Sequence, residues 1–404
     1  MSEQNTVSHS RTSSASRTPV RHKPKERISV FSRGVMDITF FLIVITLLVI
    51  GIVMMFSASY AKALSESGGT DGTTYAVKQI TMAAIGIVAL FFFSFFDYRH
   101  FASPKISITF FGVCLILLIA VFFVGVTENG ATRWIIIGPI NFQPSELMKL
   151  SIIILFSYLI VQNYNKMKTF KVGVLPFGII LLIVSGLLML EPHLSCTILI
   201  CMVGAILMFV GGVRWKHIGI LVIVGAAALV GIVLFKMYTD GFTYFETRIQ
   251  AWLDPFADEK GGSWQTTQSL IAIGSGGLFG LGLGGSRQKF MYLPESQNDF
   301  VFSIVCEELG FIGAVTVILL FLLLVIRGLY IASKAKDKFG MLITIGITMQ
   351  IGIQAFLNIA VVSSLIPNTG ISLPFFSYGG TALVMQLAEI GIVLNISRQA
   401  SMEG

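Results

Sequence analysis

Asp299 follows the stretch Tyr292-Leu293-Pro294-Glu295-Ser296-Gln297-Asn298 and opens a long apolar run. Pro294 blocks helix entry from the loop side, so Asn298 or Asp299 is expected to cap the helix that follows. A carboxylate at such a boundary can accept a proton from a hydroxyl; a plain N-cap is the simpler use. Glu307 and Glu308 lie deeper in the same run. On a straight helix Glu307 sits ~12 Å beyond Asp299 and ~80° around, with Glu308 on the opposite side. Charges at that depth need partners, either in a structural ion pair or in a polar cavity.

A second constellation is Gly130-Ala131-Thr132-Arg133-Trp134, followed by Gln143-Pro144-Ser145-Glu146-Leu147-Met148-Lys149. Arg133 can fork onto a phosphate, and Trp134 suits either an interfacial belt or stacking on a sugar. Ser145 or a neighbour is expected to cap a helix whose first turn holds Glu146. Lys149 lies one turn further in, where it can pair with Glu146 or receive an anion.

Two more segments lack charge but not shape. Residues 274–285 hold seven glycines in twelve positions, which allows close backbone approach to a ligand or to another helix. Pro367-Asn368-Thr369-Gly370-Ile371-Ser372-Leu373-Pro374 leads into Phe375-Phe376-Ser377-Tyr378-Gly379-Gly380, where Ser377 and Tyr378 could line a cavity. There is no Walker loop, HExxH or GxSxG motif. The five histidines are scattered, and none of the four cysteines forms a CxxC pair.

The elements that position these residues follow from composition. Of 404 residues, 54% are hydrophobic and 12% charged, about half the usual charged fraction of soluble domains. Mean hydropathy is +0.83. A water-soluble globule cannot hide that much apolar surface, so the net charge of +7 points to membrane topology rather than to nucleic acid. Runs of about 20 apolar residues predict an all-α polytopic membrane protein with ten transmembrane helices near 36–58, 77–96, 106–126, 146–162, 172–190, 194–211, 217–237, 299–326, 341–365 and 375–397. Residues 1–35 read as a disordered basic cytoplasmic tail, 36–397 as the membrane domain and 398–404 as a cytoplasmic C-terminus. With both termini inside, 19 of the 28 Lys and Arg residues fall on the cytoplasmic side, as the positive-inside rule requires. The 238–298 segment then becomes a large extracellular loop between helices 7 and 8. It is expected to fold on the outer bundle face, with an amphipathic helix from Trp264 to Ile273 in the interface.

Taken in order, Ala131-Thr132-Arg133-Trp134, Gln143-Pro144-Ser145-Glu146-Leu147, Tyr292-Leu293-Pro294-Glu295, Asn298-Asp299-Phe300-Val301-Phe302, Glu307-Glu308-Leu309-Gly310 and Ser372-Leu373-Pro374 with Ser377-Tyr378-Gly379-Gly380 resemble the SEDS family of bacterial membrane glycosyltransferases. That family includes FtsW, RodA and SpoVE, and the wording around Gly282-Leu283-Gly284 and Gln288-Lys289 is nearer the FtsW/SpoVE branch. The resemblance implies a peptidoglycan glycosyltransferase of cell division that polymerises lipid II at the outer face of the cytoplasmic membrane. It implies Asp299 as the catalytic general base of an inverting transfer. Arg133, Trp134, Lys149, Glu295 and Ser377 become the substrate-binding set. It further implies a class B penicillin-binding protein as transpeptidase partner, other divisome proteins around it, and no nucleic acid. A divalent cation, Mg or Mn, could assist pyrophosphate departure, although no dedicated cage is visible.

One departure stands out. Relatives commonly carry Pro-Asp-Leu-Gly after the fifth span, where this chain reads Pro192-His193-Leu194-Ser195. Any role of that acid does not carry over, although Glu191 is close enough to substitute. A lipid II flippase and a non-catalytic cell-wall scaffold are the alternative readings. A flippase needs polar groups from both faces, whereas Asp299 and Arg133 gather at the outer one.

Overall fold

The computed structural model describes residues 34–400, apart from 129–130, 139, 192, 258–262 and most of 222–242. Outside the described residues lie nearly all of the basic tail, residues 401–404 and most of the seventh expected span, which is helical over 215–221. The long apolar runs form α1 (Ile38–Glu66), α2 (Thr74–Phe95), α3 (Pro104–Val124), α4 (Pro144–Gln162), α5 (Leu175–Leu190) and α6 (Leu194–Val210). Then come α7 (Thr243–Leu253), α8 (Trp264–Ser275), α9 (Val301–Lys334), α10 (Lys338–Val362) and α11 (Gly380–Gln399). Among the described residues, eight helices are long and apolar enough to cross a bilayer, and α6 is a shorter apolar one. The chain is thus a multi-pass membrane protein.

The three least apolar of these long helices, α4, α10 and α11, are also the most enclosed. A face turned to lipid must be apolar, and the helices ringed by others can carry Lys149, Gln350, Gln354, Gln386 and Glu389 on several faces. Helix α10 packs on α4, α6, α9 and α11, while α2 runs along α11.

Three features differ from the expected helices. A small antiparallel sheet, β1 (Val126–Glu128), β2 (Ala131–Ile137) and β3 (Ile140–Phe142), fills the link between α3 and α4. Its middle strand is rich in β-branched and aromatic residues, which suit a pleated surface. Helix α8 occupies the expected amphipathic segment but buries Thr266, Thr267, Gln268 and Ser269 against α9, leaving Ile271 outward. Finally, neither Asn298 nor Asp299 caps α9: the helix starts at Val301, and its N-cap is Phe300, with no side-chain cap. Ser145 likewise gives no cap to α4, which begins with Pro144 behind Gln143.

Helix α9 is broken at Gly310, whose φ of 67° and ψ of −167° lie outside helical space. Its freed backbone groups bond to the glycine-rich segment: Leu281 N to Glu307 O (2.9 Å), Gly282 N to Glu308 O (3.0 Å), Phe311 N to Gly277 O (2.9 Å) and Ile312 N to Leu278 O (3.2 Å). The glycines therefore serve backbone-to-backbone packing; the cavity described below does not include them. Gly280 has φ +78°, and a Cβ there would collide with the Glu308 carbonyl. Gly280→Ala is expected to cost roughly 1–3 kcal/mol, read as a lower unfolding temperature in detergent. Gly274→Ala, on α8 with open space around it, should leave that temperature unchanged.

Candidate active site

A cavity of about 480 Å³ lies where β2, the first turns of α4, the α6 start, α7 and the segments 294–299 and 368–379 meet the ends of α10 and α11. All six residues singled out in the sequence, Asp299, Arg133, Trp134, Lys149, Glu295 and Ser377, line it. They come from segments up to 244 positions apart, between Arg133 and Ser377.

The cationic wall is built on β2 and α4. Arg133 Nε donates to the Glu191 carbonyl at 3.2 Å, tying the strand to the α5–α6 corner. Lys149 Nζ lies 2.8 Å from Glu146 Oε2 and donates to Gln354 Oε1 at 3.2 Å. Gln354 in turn donates to Ser372 Oγ and to the Ser372 carbonyl, both at 3.1 Å. Lys149 thus has the expected Glu146 partner and still faces the cavity.

The acidic wall is the turn before α9. Glu295 takes a left-handed φ of 54°, and its carboxylate accepts from Asn298 Nδ2 at 2.5 Å and faces Lys62 at 3.6 Å. Asn358 on α10 donates to the Asp299 carbonyl (2.7 Å) and the Ile371 carbonyl (2.6 Å), pinning both loops from below. Ser377 Oγ donates to the Asn298 carbonyl (2.6 Å) and accepts from Leu373 N (2.7 Å). Its hydroxyl is therefore a brace between loops more than an open ligand. Gly370, at φ 70°, lies beside the Asp299 carboxylate, and a Cβ there would stand 3.2 Å from Oδ2.

Burial pushes the Asp299 carboxyl up to about 6, and the nearby Glu295 charge adds to the shift, while Arg133 and Arg248 pull it back. Burial likewise raises Glu191 to about 8, against the pull of Arg133, so that acid is neutral near pH 7. His193 is held well below its usual range by burial and then by the charges of Arg133 and Lys149. It stands as a neutral imidazole, with Nε2 at 3.2 Å from Gln143 Nε2. At this point the cavity wall carries an uncharged ring.

Sequence reasoning missed Arg248. It projects from α7, donates from Nη1 to the Asn368 carbonyl at 2.6 Å and lines the cavity. The available signal was a basic residue retained in a segment assigned to the cation-poor side. Also missed were the carboxamides of Gln265, Gln354, Gln386, Asn298 and Asn368, which give the wall many neutral donors and acceptors suited to sugar hydroxyls and acetamido groups. Glu307 and Glu308 are not part of this cavity; Glu308 is in a buried ion pair with Lys289, the simpler of the two expectations, while Glu307 accepts hydrogen bonds from Ser286 Oγ and Arg287 N. Among the described residues, no three His, Cys, Asp or Glu side chains converge as a metal cage.

Lys149→Met strands Glu146 in a buried setting. The expected cost is about 3–5 kcal/mol, measured by thermal unfolding. Double replacement with Glu146→Gln should recover most of it.

A family model described as a cell cycle protein, FTSW_RODA_SPOVE, matches residues 38–402. The chain is 39% identical over 365 residues to stage V sporulation protein E of Bacillus subtilis, covering 90% of this chain and 97% of that protein. It is 37% identical over 364 residues to a probable peptidoglycan glycosyltransferase FtsW of a Geobacter species, covering 89% and 96%. Among solved structures, it is similar to a chain from work on structural coordination of polymerization and crosslinking by a peptidoglycan synthase complex, with a TM-score of 0.71, 28% identity and coverage of 91% and 99%. It is also similar to the rod shape determining protein RodA of Thermus thermophilus, with a TM-score of 0.65, 27% identity and coverage of 91% and 98%.

Proposed function

This chain belongs to the FtsW/RodA/SpoVE family, and from that premise we propose that it is a peptidoglycan glycosyltransferase whose cavity joins two lipid-linked saccharides, with Asp299 as general base. The observation that carries the residue assignment is the convergence of one carboxyl, shifted to about 6, with Arg133, Lys149 and Arg248 in a single cavity.

The donor is a saccharide carried on undecaprenyl pyrophosphate through its anomeric carbon, and the acceptor is a second lipid-linked molecule, lipid II, whose terminal sugar has a free 4-hydroxyl. Asp299 takes the proton from the acceptor 4-hydroxyl as its oxygen attacks the donor anomeric carbon. The bond from that carbon to pyrophosphate breaks, and its electron pair leaves with the phosphate oxygen. Direct displacement without an enzyme nucleophile inverts the anomeric centre, from an α-linked donor to a β-linked product. Arg133 and Lys149 meet the charge growing on the leaving pyrophosphate, and Arg248 lines the same cavity near Asp299. Trp134 and Tyr378 offer aromatic faces to the sugars, and Glu295 helps hold Asp299 protonatable near neutral pH. The lipid tails place this chemistry at the outer membrane boundary, with both termini cytoplasmic. A class B penicillin-binding transpeptidase that crosslinks the new strands is the proposed partner, within a divisome assembly.

Asp299→Asn is expected to remain in the membrane and lower polymerisation of labelled lipid II by ~10²-fold or more. Because the base works only when ionised, the wild-type rate should fall as pH drops through about 6 and level off above it. A fully active Asn variant, or a flat profile from pH 5 to 8, would remove the base role. The same purified protein separates the functional classes: glycan chains support the polymerase, leaflet exchange without chains a flippase, and neither product a scaffold.

A further inference from the structure

A buried charged cluster lies outside the cavity and joins three parts of the chain. Glu308 is fully buried and accepts from Ser57 Oγ on α1 at 2.7 Å, from Lys289 Nζ at 3.0 Å and from Ser286 N at 3.3 Å. Lys289, itself buried, also reaches Ser57 Oγ at 3.0 Å. Next to it, Glu307 accepts from Ser286 Oγ at 2.5 Å and from Arg287 N at 2.9 Å. Helix α1, the segment 286–289 and the upper part of α9 are thereby locked together.

The upper part of α9 is short. It runs from Val301 to Leu309 before the left-handed Gly310 breaks it, and Asp299 stands two residues before its first turn. Because the break interrupts the helical ladder, the lower helix cannot by itself set the direction of this half-helix. Its direction is set by two backbone bonds, from Leu281 N to the Glu307 carbonyl and from Gly282 N to the Glu308 carbonyl, and by the Lys289–Glu308–Ser57 cluster; the bonds from Phe311 N and Ile312 N tie the lower helix to the same segment. Seven helical steps separate Val301 from Glu308, about 10 Å, and none of Ser57, Lys289 and Glu308 lines the cavity, so the cluster does not touch a substrate there. A buried ion pair adds little net stability compared with apolar packing. It does admit one arrangement only, and that is what a half-helix carrying a reactive group needs.

We propose that Lys289 and Glu308, closed over by Ser57, are positioning residues that fix the tilt of the upper half-helix and thereby place Asp299 against the reacting atoms. The proposal rests on Asp299 being the general base, and it couples that base to the packing of α1 and of the glycine-rich segment. Misplacing a reacting group by about 1 Å can cost ~10²-fold. Substrate affinity, set by the cavity cations and amides, should be untouched.

The test uses the full chain, purified with the transpeptidase if activity requires it, and labelled lipid II. Lys289→Met should lower kcat by ~30- to 100-fold with KM within a factor of about two, whereas Lys289→Arg should retain most of kcat. Hydrogen exchange at the amides of Leu281, Gly282, Phe311 and Ile312 should quicken in Lys289→Met and not in Lys289→Arg. This second readout needs no enzymatic activity, so it separates failure of the clamp from failure of the base assignment. Unchanged exchange in Lys289→Met overturns the proposal whatever the activity, as does an unchanged kcat or a loss confined to KM. If Lys289→Met does not accumulate in the membrane, Ser57→Ala carries the test. That variant keeps the ion pair and should show a smaller drop in kcat with faster exchange at the same amides; wild-type values of both overturn the proposal.

Discussion

Ionised side chains and unpaired amides cost several kcal/mol in a medium that cannot hydrogen-bond, and the placement of polar residues in this bundle follows from that cost. Lys149 is held by Glu146 and Gln354, and Gln350 donates to Glu389 at 2.8 Å. At the break in α9, where a helix would leave four backbone groups open, a second segment supplies the partners. The same accounting puts Lys149, Gln350, Gln354, Gln386 and Glu389 on the enclosed helices, and makes the outer helix α9 bury Glu307 and Glu308 against other segments.

The cavity is the one place where these pairings are arranged around an open volume. Asp299 has its backbone secured by Asn358 and its neighbour Asn298 braced by Ser377, while no side-chain hydrogen bond among the described residues holds its carboxylate. A carboxyl raised by burial and by Glu295, yet flanked by Arg133 and Arg248, is poised between the acid and base forms near neutral pH. His193, kept neutral by burial and by the charges of Arg133 and Lys149, closes the wall at the α5–α6 corner. Glu191, two residues before it, is raised by burial to about 8 and contributes its backbone carbonyl to Arg133.

Much of the site was legible before the fold because charge stands out in an apolar chain. Arg133, Lys149, Glu295 and Asp299 are among few charged residues in or beside spans, and a chain keeps such residues only where they are paired or used. Arg248 was not legible in the same way. It lies on α7, in a segment whose sequence reads as a long loop between spans, and its partner Asn368 is 120 positions away. The carboxamides of Gln354 and Gln386 carry no charge to draw attention, yet they complete the cavity wall. The sheet over 126–142 was hidden for another reason: its strands are too short to register against the longer spans on either side.

From sequence alone came the helical membrane architecture and the family of motifs, because hydrocarbon thickness and the cost of charge are imposed residue by residue along the chain. Only the tertiary structure decided that the glycines wedge into a broken helix, that Ser377 braces a loop, that Glu307 and Glu308 join distant segments, and that Arg248 faces Asp299. Each of these depends on which distant backbone or side chain arrives at a given point, and pairing across hundreds of residues leaves no local trace in composition or period.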